Sequence, residues 1–365
     1  MKPRILITIA ATCAILASHA QTSQRFTASK ASEYGIVYSL PVTELDITIE
    51  AEVTDRQPGE FFNYARRHMG IQNAITAPSK SVDVKSVVIT PRGVADPDNR
   101  WLAQFKNGAS TFMLLTPDGI PLTVNTDVTA ASPAQQLPVQ IAPEPTILQT
   151  DAARQAMTQD MIRSSSLSKR AELAAQRIFE LRDMRSDLLS GQADNPPADG
   201  QAMKLVLDNL ARQEQALTAM FAGTEQRYNL VKTISVRPDS LGLSDEVVAR
   251  LSAVDGILEP DNLAGTPLTL SIDVLEQGSL PVNDKGEPKR FPKGGVAYNI
   301  PGRALVTLSY DGRQVARAEI NLAQLGVTFG IDPALFSDRK APSQLQLDPA
   351  TGAVVLFGPA PAQAE

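Results

Sequence analysis

Two kinds of hydrophobic pattern divide this chain, and their order limits the folds open to it. Apolar residues recur at helical spacing in one block between residues 171 and 221, whereas segments on both sides alternate apolar and polar residues. Residues 45–53 alternate most clearly, with Leu, Ile, Ala and Val at odd positions and Asp, Thr and Glu at even ones. Such a strand buries one face in an antiparallel sheet. We therefore predict an α+β fold of two mostly antiparallel β domains with a central helical hairpin.

The first β domain is predicted over residues 21–128. A short helix is expected at 60–69, and Thr116–Gly119 has the proline and glycine of a turn. Its expected strands lie at 35–41, 45–53, 82–90, 101–106, 111–116 and 120–126. Residues 129–150 are rich in Pro, Ala and Gln and are predicted to form a linker or an extended segment, because proline supplies no backbone donor.

The helical segment is predicted over residues 151–224. Its first long helix should end at Ser190-Gly191, and its second should begin with Asp199 as N-cap and close at Gly223. Two helices joined by a short polar loop are expected to pair antiparallel. We also expect one side of this hairpin to pack on a β domain.

The second β-rich domain is predicted over residues 225–357 and is followed by a disordered tail, 358–365. Residues 310–313 and 348–352 have the composition of hairpin turns. A short helix capped by Ser244 is expected over 244–253. The expected strands lie at 228–237, 267–276, 296–300, 303–310, 313–320, 344–348 and 353–357.

The first twenty residues have the pattern of a cleaved signal peptide. Lys2 and Arg4 precede an apolar run from Ile5 to Ala17, and Ser18-His19-Ala20 offers small residues for cleavage after Ala20. We predict export to the periplasm or the cell surface, with no transmembrane segment after signal removal. An uncleaved N-terminal anchor is the alternative, which the short apolar run disfavours.

Few residues of this chain are suited to nucleophilic or metal chemistry. Cys13 is the only cysteine, and the two histidines are His19 and His68. After cleavage His68 alone remains, which excludes a cysteine nucleophile and a Cys/His zinc site within one mature chain. His68 is expected near the C-terminal end of a short basic helix, before Gly70, where a histidine interacts favourably with the helix dipole. We therefore predict no catalytic, cofactor-binding or metal-binding residues, and no cofactor.

Three other features have a structural and a functional interpretation. The acidic residues 44–52 fit a solvated strand face, although two carboxylates suffice for glycoside hydrolysis. Residues 96–99 (DPDN) fit a plain turn better than a calcium loop. Residues 289–293 (KRFPK) fit a solvated loop, with anion or glycan contact as the alternative, and the alternation around Trp101 indicates a core residue.

The charge balance argues against two classes of partner. Loss of Lys2 and Arg4 with the signal would leave 32 basic against 40 acidic residues and take the formal net charge from −6 to −8. Nucleic-acid binding requires a basic face, and binding to anionic lipid requires a polybasic block. We expect neither nucleic acid nor anionic lipid as a partner.

Several segments resemble an uncharacterised family of exported Bacteroidota proteins. They are YSLP (38–41), GEFFNYA (59–65), the two hairpin helices (175–191 and 199–223), GGVAYNIPGRA (294–304), AQLGV (323–327) and DPATGAV (348–354). The resemblance spans nearly the whole mature chain. It implies export from a Gram-negative cell, and the family carries no established activity or catalytic motif.

These observations favour a non-catalytic exported protein that binds or helps assemble another envelope component, either a protein or a glycan. One alternative is a carboxylate-based periplasmic or surface hydrolase, which requires converging acids, at least one with a raised pKa. The other is a carbohydrate-binding module, which requires an exposed row of aromatic side chains.

Overall fold

A computed structural model of the chain shows a mixed α+β architecture of antiparallel sheets and one group of helices, which confirms the predicted fold class. The structure describes residues 24–27 (backbone only), 35–105, 111–127, 137–140, 142–197, 200–239, 242–338 and 341–360. The predicted signal peptide, 1–20, and the Asp199 cap lie outside these residues.

The elements within the described residues follow the chain in this order. The helices are α1 (Ala65–Met69), α2 (Ala152–Ala156), α3 (Gln159–Arg163), α4 (Leu167–Ser190) and α5 (Gln201–Ala222). The strands are β1 (Gln24–Thr27), β2 (Ile36–Gln57), β3 (Ser79–Ala103), β4 (Phe112–Leu115), β5 (Pro121–Val124), β6 (Thr224–Val236), β7 (Leu243–Ser252), β8 (Gly256–Leu258), β9 (Thr266–Glu276), β10 (Val296–Tyr310), β11 (Arg313–Ile331), β12 (Ser343–Leu347) and β13 (Val354–Pro359).

Three unusually long strands form a ribbon with the order β3-β2-β6. β2 has 22 residues and β3 has 25, so each of them joins two strands that the sequence analysis had separated. Pro41 interrupts the sequence pattern, but a register shift between Ser39 and Pro41 lets β2 continue past it. A bulge of this kind accommodates a residue without a backbone N–H.

Two of the three sheets combine strands from the first and second predicted β regions. β6 pairs with β2 along the ribbon, and β12 pairs with β5 in a sheet of order β1-β4-β5-β12-β13. The remaining sheet, of order β11-β10-β9-β7-β8, comes from the second region alone. The predicted boundaries near residues 128 and 225 therefore separate strands that share a sheet.

The prediction of a helix over residues 244–253 is wrong, because Leu243–Ser252 form strand β7. Ala249 and Leu251 are buried in the core between the sheets, and β7 pairs with β9. A run of apolar residues this short fits either period, and pairing with a neighbouring strand decided between them.

The helical hairpin α4–α5 is present as predicted, and its base packs on other helices. Its base shares a core with α1, α2, α3 and Phe61, and no buried residue of that core belongs to a described strand. The backbone N–H of Phe61 donates to the carbonyl of Met220 at 2.6 Å. The hairpin base therefore packs on the predicted N-terminal domain, 21–128, through its short helix and Phe61. None of the described helices is long and apolar enough to span a membrane.

Asn299 on β10 lies at the centre of a buried polar junction. Its side chain is almost fully buried. Its Nδ2 donates to the carbonyls of Pro41 (3.1 Å) and Thr351 (2.9 Å). Its Oδ1 accepts from Thr328 Oγ1 at 3.1 Å. One amide thus joins β2, β10, β11 and the turn before β13, and we call residues 38–43, 297–302, 323–328 and 348–352 the junction.

Thr43 makes the second set of bonds in the junction. Its Oγ1 donates to the Ala350 carbonyl at 2.9 Å and accepts from the Ala323 N–H at 3.0 Å. Its own backbone N–H and carbonyl bond to the two ends of the Gln324 amide, at 3.1 and 2.9 Å. Because Thr43 is fully buried, these bonds replace water for every polar atom it carries.

Close backbone contacts around the junction leave no room for larger residues. A Cβ on Gly93 would lie 1.9 Å from the Pro349 carbonyl oxygen, and one on Gly326 would lie 2.0 Å from that of Ile300. Nearby, the Tyr38 hydroxyl accepts from the Ala297 N–H at 2.6 Å. Burial raises the pKa of the Tyr38 phenol far above its ordinary value, so it stays a neutral hydrogen-bonding group.

We predict that Asn299→Ala lowers the free energy of unfolding by about 2 kcal/mol or more, because buried carbonyls lose their donor. Urea denaturation followed by circular dichroism measures the change. Asn209→Ala is the control: Asn209 is exposed on α5, and its side chain accepts a hydrogen bond from Gln213 in the same helix. Its loss should stay within about 0.5 kcal/mol, and an equal effect of the two substitutions would contradict the role of the junction.

Candidate functional site at the helical hairpin

His68 lies where the sequence placed it, in the last turn of α1 before a left-handed Gly70. Its ring faces Tyr64 at 6.1 Å between centroids. Its Nε2 is buried and has no hydrogen-bond partner within the described residues. Within the described residues, no hydrogen bond joins His68 to a hydroxyl or carboxyl group, as a catalytic triad would require.

Three carboxyl groups in the described residues have environments that lower the pKa. Glu50 accepts hydrogen bonds from Asn229 and Ser86, and these bonds lower the pKa of its carboxyl. The pKa values of Glu172 and Glu225 are also lowered, through hydrogen bonds from neighbouring basic side chains. These three shifts are opposite in direction to the raised pKa that a hydrolase acid requires.

Residues 96–99 form a bulge inside β3 instead of the expected turn between elements. Ser39 pairs with Arg100 and Pro41 with Ala95, so the four residues between lie opposite Leu40 alone. In the described part of the chain, no three His, Cys, Asp or Glu side chains are grouped as metal ligands would be.

Trp101 is half-buried, and Phe291 stacks on it at 5.0 Å between centroids with 15° between ring planes. Phe291 in turn meets Phe329 edge-on at 6.1 Å. Trp101 therefore helps to anchor the 289–293 loop to the end of the ribbon, while Lys289 and Lys293 remain exposed. An aromatic ring covered in this way does not offer a free platform to a sugar.

A groove of about 780 Å³ opens where the hairpin meets the start of β6. The C-terminal half of α5 lines the groove together with Arg182 and Arg185 of α4. Residues 144–147 and 223–226 also line it. The groove is thus lined by three separate stretches of the chain.

An ion-pair clamp crosses this groove. Arg182 Nε lies 2.7 Å from Glu214 Oε1, and Arg185 Nη1 lies 2.8 Å from Glu214 Oε2. The Glu214 side chain is only 14 % exposed, whereas the arginines are 41 % and 39 % exposed. Each guanidinium has further N–H donors beyond the one bonded to Glu214. The clamp therefore ties α4 to α5 and itself carries one excess positive charge, while Glu144 and Glu225 also line the groove.

The described part of the Pro-rich segment, up to Thr146, has no regular secondary structure and lies beside β6. Asn229 Nδ2 donates to the Val139 carbonyl at 2.9 Å, and Gln226 Nε2 donates to the Glu144 carbonyl. Side-chain amides of β6 thus bond to a backbone that its prolines prevent from forming a regular strand. This segment supplies the outer wall of the groove.

Beyond the groove, the hairpin continues as a poorly packed arm. We define the hairpin arm as residues 182–190 of α4 and 201–213 of α5, none of which is buried. Leu189 and Leu205 are 68 % and 71 % exposed, and Met184 is 43 % exposed. The buried residues of both helices all lie on the base side of the arm. The arm therefore carries apolar surface that the core of the protein does not use.

The sequence itself indicates which part of the hairpin is packed and which part is exposed, although the helical period of its apolar residues does not. Small residues, Ala171, Ala174 and Ala175, mark the part of α4 where helices approach closely. The adjacent pair Leu188-Leu189 cannot both face the partner helix, because neighbouring residues on a helix point about 100° apart. Leu189 was therefore a candidate surface residue from the outset.

We predict that Glu214→Gln lowers the free energy of unfolding by about 1–2 kcal/mol, because it leaves two neighbouring arginines without their shared counter-charge. Urea denaturation checks the value. The control is Glu180→Gln, because Glu180 and Arg177 form an ion pair within α4, with 3.2 Å between Oε2 and Nη1. A loss there equal to that of Glu214→Gln would contradict the clamp, because exposed pairs contribute less than about 0.5 kcal/mol.

Comparison with known proteins gives one assignment. The family model of a domain of unknown function, DUF4831, matches residues 34–355, which is most of the chain. No curated protein and no solved structure matches the chain. The chain therefore belongs to the DUF4831 family.

Proposed function

We propose that this chain is an exported, non-catalytic protein of the cell envelope that binds another envelope protein through its hairpin arm. The observation that carries the proposal is the unequal burial of the hairpin. Its base has its own core, whereas Leu189 and Leu205 on the arm are largely exposed. Amphipathic helices that expose apolar anchors commonly dock into a partner's groove.

The arm has the features of a protein-docking surface beyond its leucines. Its helices carry both acidic and basic residues around the apolar side chains, as in the polar rim of a protein interface. The Glu214 clamp and the packed base hold the two helices together before a partner arrives. A rigid surface loses less conformational entropy on binding, which favours affinity.

Export is supported by the basic start, apolar run and small-residue cleavage site of residues 1–20. The chain would mature without any cysteine, so its stability depends on its packed cores and on the junction. A protein partner is favoured over a glycan because Trp101, the single tryptophan, is stacked on Phe291. The carboxylate-hydrolase alternative is less favoured, because the environments of Glu50, Glu172 and Glu225 lower the pKa of these carboxyl groups, whereas a hydrolase acid requires a raised pKa.

The test is crosslinking in intact cells followed by purification of the tagged protein and mass spectrometry. We expect one envelope protein to be recovered in a fixed ratio. The double variant Leu189→Lys/Leu205→Glu should reduce its recovery at least about tenfold, which corresponds to about 1.4 kcal/mol. These charges suit the C-terminal end of α4 and the N-terminal end of α5, so the helices should stay intact.

A matched control replaces equally exposed apolar residues elsewhere. Val254 and Leu263 are 78 % and 80 % exposed in turns of the second β region. Val254→Lys/Leu263→Glu should leave partner recovery unchanged. Equal recovery with the arm variant, at unchanged thermal stability, would overturn the proposal.

A further inference from the structure

The loop between β9 and β10 is positively charged, in contrast to the chain as a whole. We call residues 280–293 the cationic loop. It has two acidic residues, Asp284 and Glu287, and its formal net charge is +2 in a chain of net charge −6. Its four basic residues are all exposed: Lys285, Lys289, Arg290 and Lys293.

No neighbouring carboxylate neutralises these four cations. Within the described residues none of them forms an ion pair. By contrast, Arg92 on β3 lies 2.8 Å from both Glu44 and Asp46. In the loop itself, Glu287 Oε2 accepts a hydrogen bond from Asn283 Nδ2 at 3.1 Å, so this carboxylate is engaged by the turn. The basic side chains of the loop therefore remain available to an external anion.

Hydrogen bonds within the loop hold its tip in a defined conformation. Val282 and Pro288 form an isolated antiparallel bridge. Beside it, the Lys289 N–H donates to the Pro281 carbonyl at 2.7 Å. The Asn283 Oδ1 accepts from two backbone N–H groups of the turn, at 2.9 and 3.0 Å. An anionic surface would thus meet charges that are already gathered, which lowers the entropic cost of binding.

Phe291 fixes the other end of the loop to the sheets. Its ring stacks on Trp101 at 5.0 Å between centroids. The ring also lies against the backbone of Gly330, where a Cβ would come within 2.7 Å of its Cζ. Arg290 and Lys293 are next to this anchored ring in sequence and are exposed. They are therefore attached to a fixed point of the fold.

Exposed apolar side chains accompany the cations. Leu280, Val282 and Phe291 are 40 %, 56 % and 38 % exposed. Residues 284–291 between and beside them are all exposed as well. A soluble anion would use only the cations, whereas a membrane surface offers phosphates to the cations and an apolar interior to the aliphatic side chains. The combination favours a lipid surface.

We propose that the cationic loop binds the surface of a membrane that contains anionic phospholipid. Lys289, Arg290 and Lys293 meet the lipid phosphates, and Leu280 and Val282 enter the interfacial layer. The net negative charge of the whole chain argued against anionic lipid. Salt limits electrostatic forces to about 8–10 Å, however, so the charge of the part nearest the membrane decides whether the protein binds.

Sedimentation with vesicles of equal parts phosphatidylglycerol and phosphatidylcholine tests the proposal. We expect the purified exported protein to bind them, to release them as salt is raised, and not to bind vesicles of phosphatidylcholine alone. Each cation near an anionic surface contributes about fivefold to binding. Lys289→Ala/Arg290→Ala/Lys293→Ala should therefore weaken binding on the order of a hundredfold. Failure of the natural protein to bind would overturn the proposal and leave an acidic protein as the partner of the loop.

A matched control removes the same charge from other exposed residues. Arg66 and Arg67 lie on α1 and Arg317 lies on β11, and all three are exposed. Arg66→Ala/Arg67→Ala/Arg317→Ala should weaken vesicle binding less than about threefold, because these cations lie outside the contact. A loss equal to that of the loop variant would show a general effect of net charge and would overturn the proposal.

Trp101 reports which surface meets the membrane, because it is the single tryptophan of the chain and stacks on Phe291 in the loop. Lipids with bromine on the acyl chain near the headgroup should quench its fluorescence when the natural protein binds. Binding without quenching would place the contact elsewhere and contradict the proposal. The hairpin-arm variant Leu189→Lys/Leu205→Glu should bind vesicles as the natural protein does, so failure of the arm and failure of the loop give different results.

Discussion

The buried amide of Asn299 is the interaction on which the arrangement of the sheets depends. It bonds to the carbonyls of Pro41 and Thr351 and accepts from Thr328, so one side chain connects the ribbon, the β10–β11 pair and the turn before β13. Thr43 extends the network to Gln324 and Ala350. A buried polar group tolerates few alternative positions, because any displacement leaves donors or acceptors unsatisfied. Hydrophobic burial alone would let the sheets slide, whereas this network fixes their position.

The junction also explains why the recognisable sequence segments carry no visible chemistry. YSLP supplies Tyr38 and the Pro41 carbonyl, and the 294–304 segment supplies Asn299. AQLGV supplies the Ala323 N–H and the Gln324 amide, while DPATGAV supplies the Ala350 and Thr351 carbonyls. The polar atoms of these segments bond to one another inside the protein. They are therefore structural positions, and binding has to be sought on the surface.

Local pattern was sufficient for the fold class and for the helical hairpin, because both follow from the period of apolar residues. It failed where distant parts of the chain decide the structure. The apolar residues of 244–253 are compatible with a helix, but pairing with β9 makes this segment a strand. Pro41 was predicted to end a strand, but a bulge at this position lets β2 continue. Pairing of β2 with β6 joins Leu45 to Val236, and no local signal specifies such a contact. The hairpin was predicted, but the burial of its base and the exposure of its arm depend on where α1, α2, α3 and Phe61 contact it.

The hairpin and the sheets have separate cores, and this separation bears on how a partner could be accommodated. The hairpin base buries its apolar residues against α1, α2, α3 and Phe61, while the sheets bury theirs against one another. Local opening requires the loss of only those contacts that the moving part makes. Adjustment of the hairpin would therefore disturb the Glu214 clamp and the helical core, but not the buried polar bonds of the junction. The clamp and the helical core therefore hold the hairpin by contacts of their own, independently of the network that fixes the sheets.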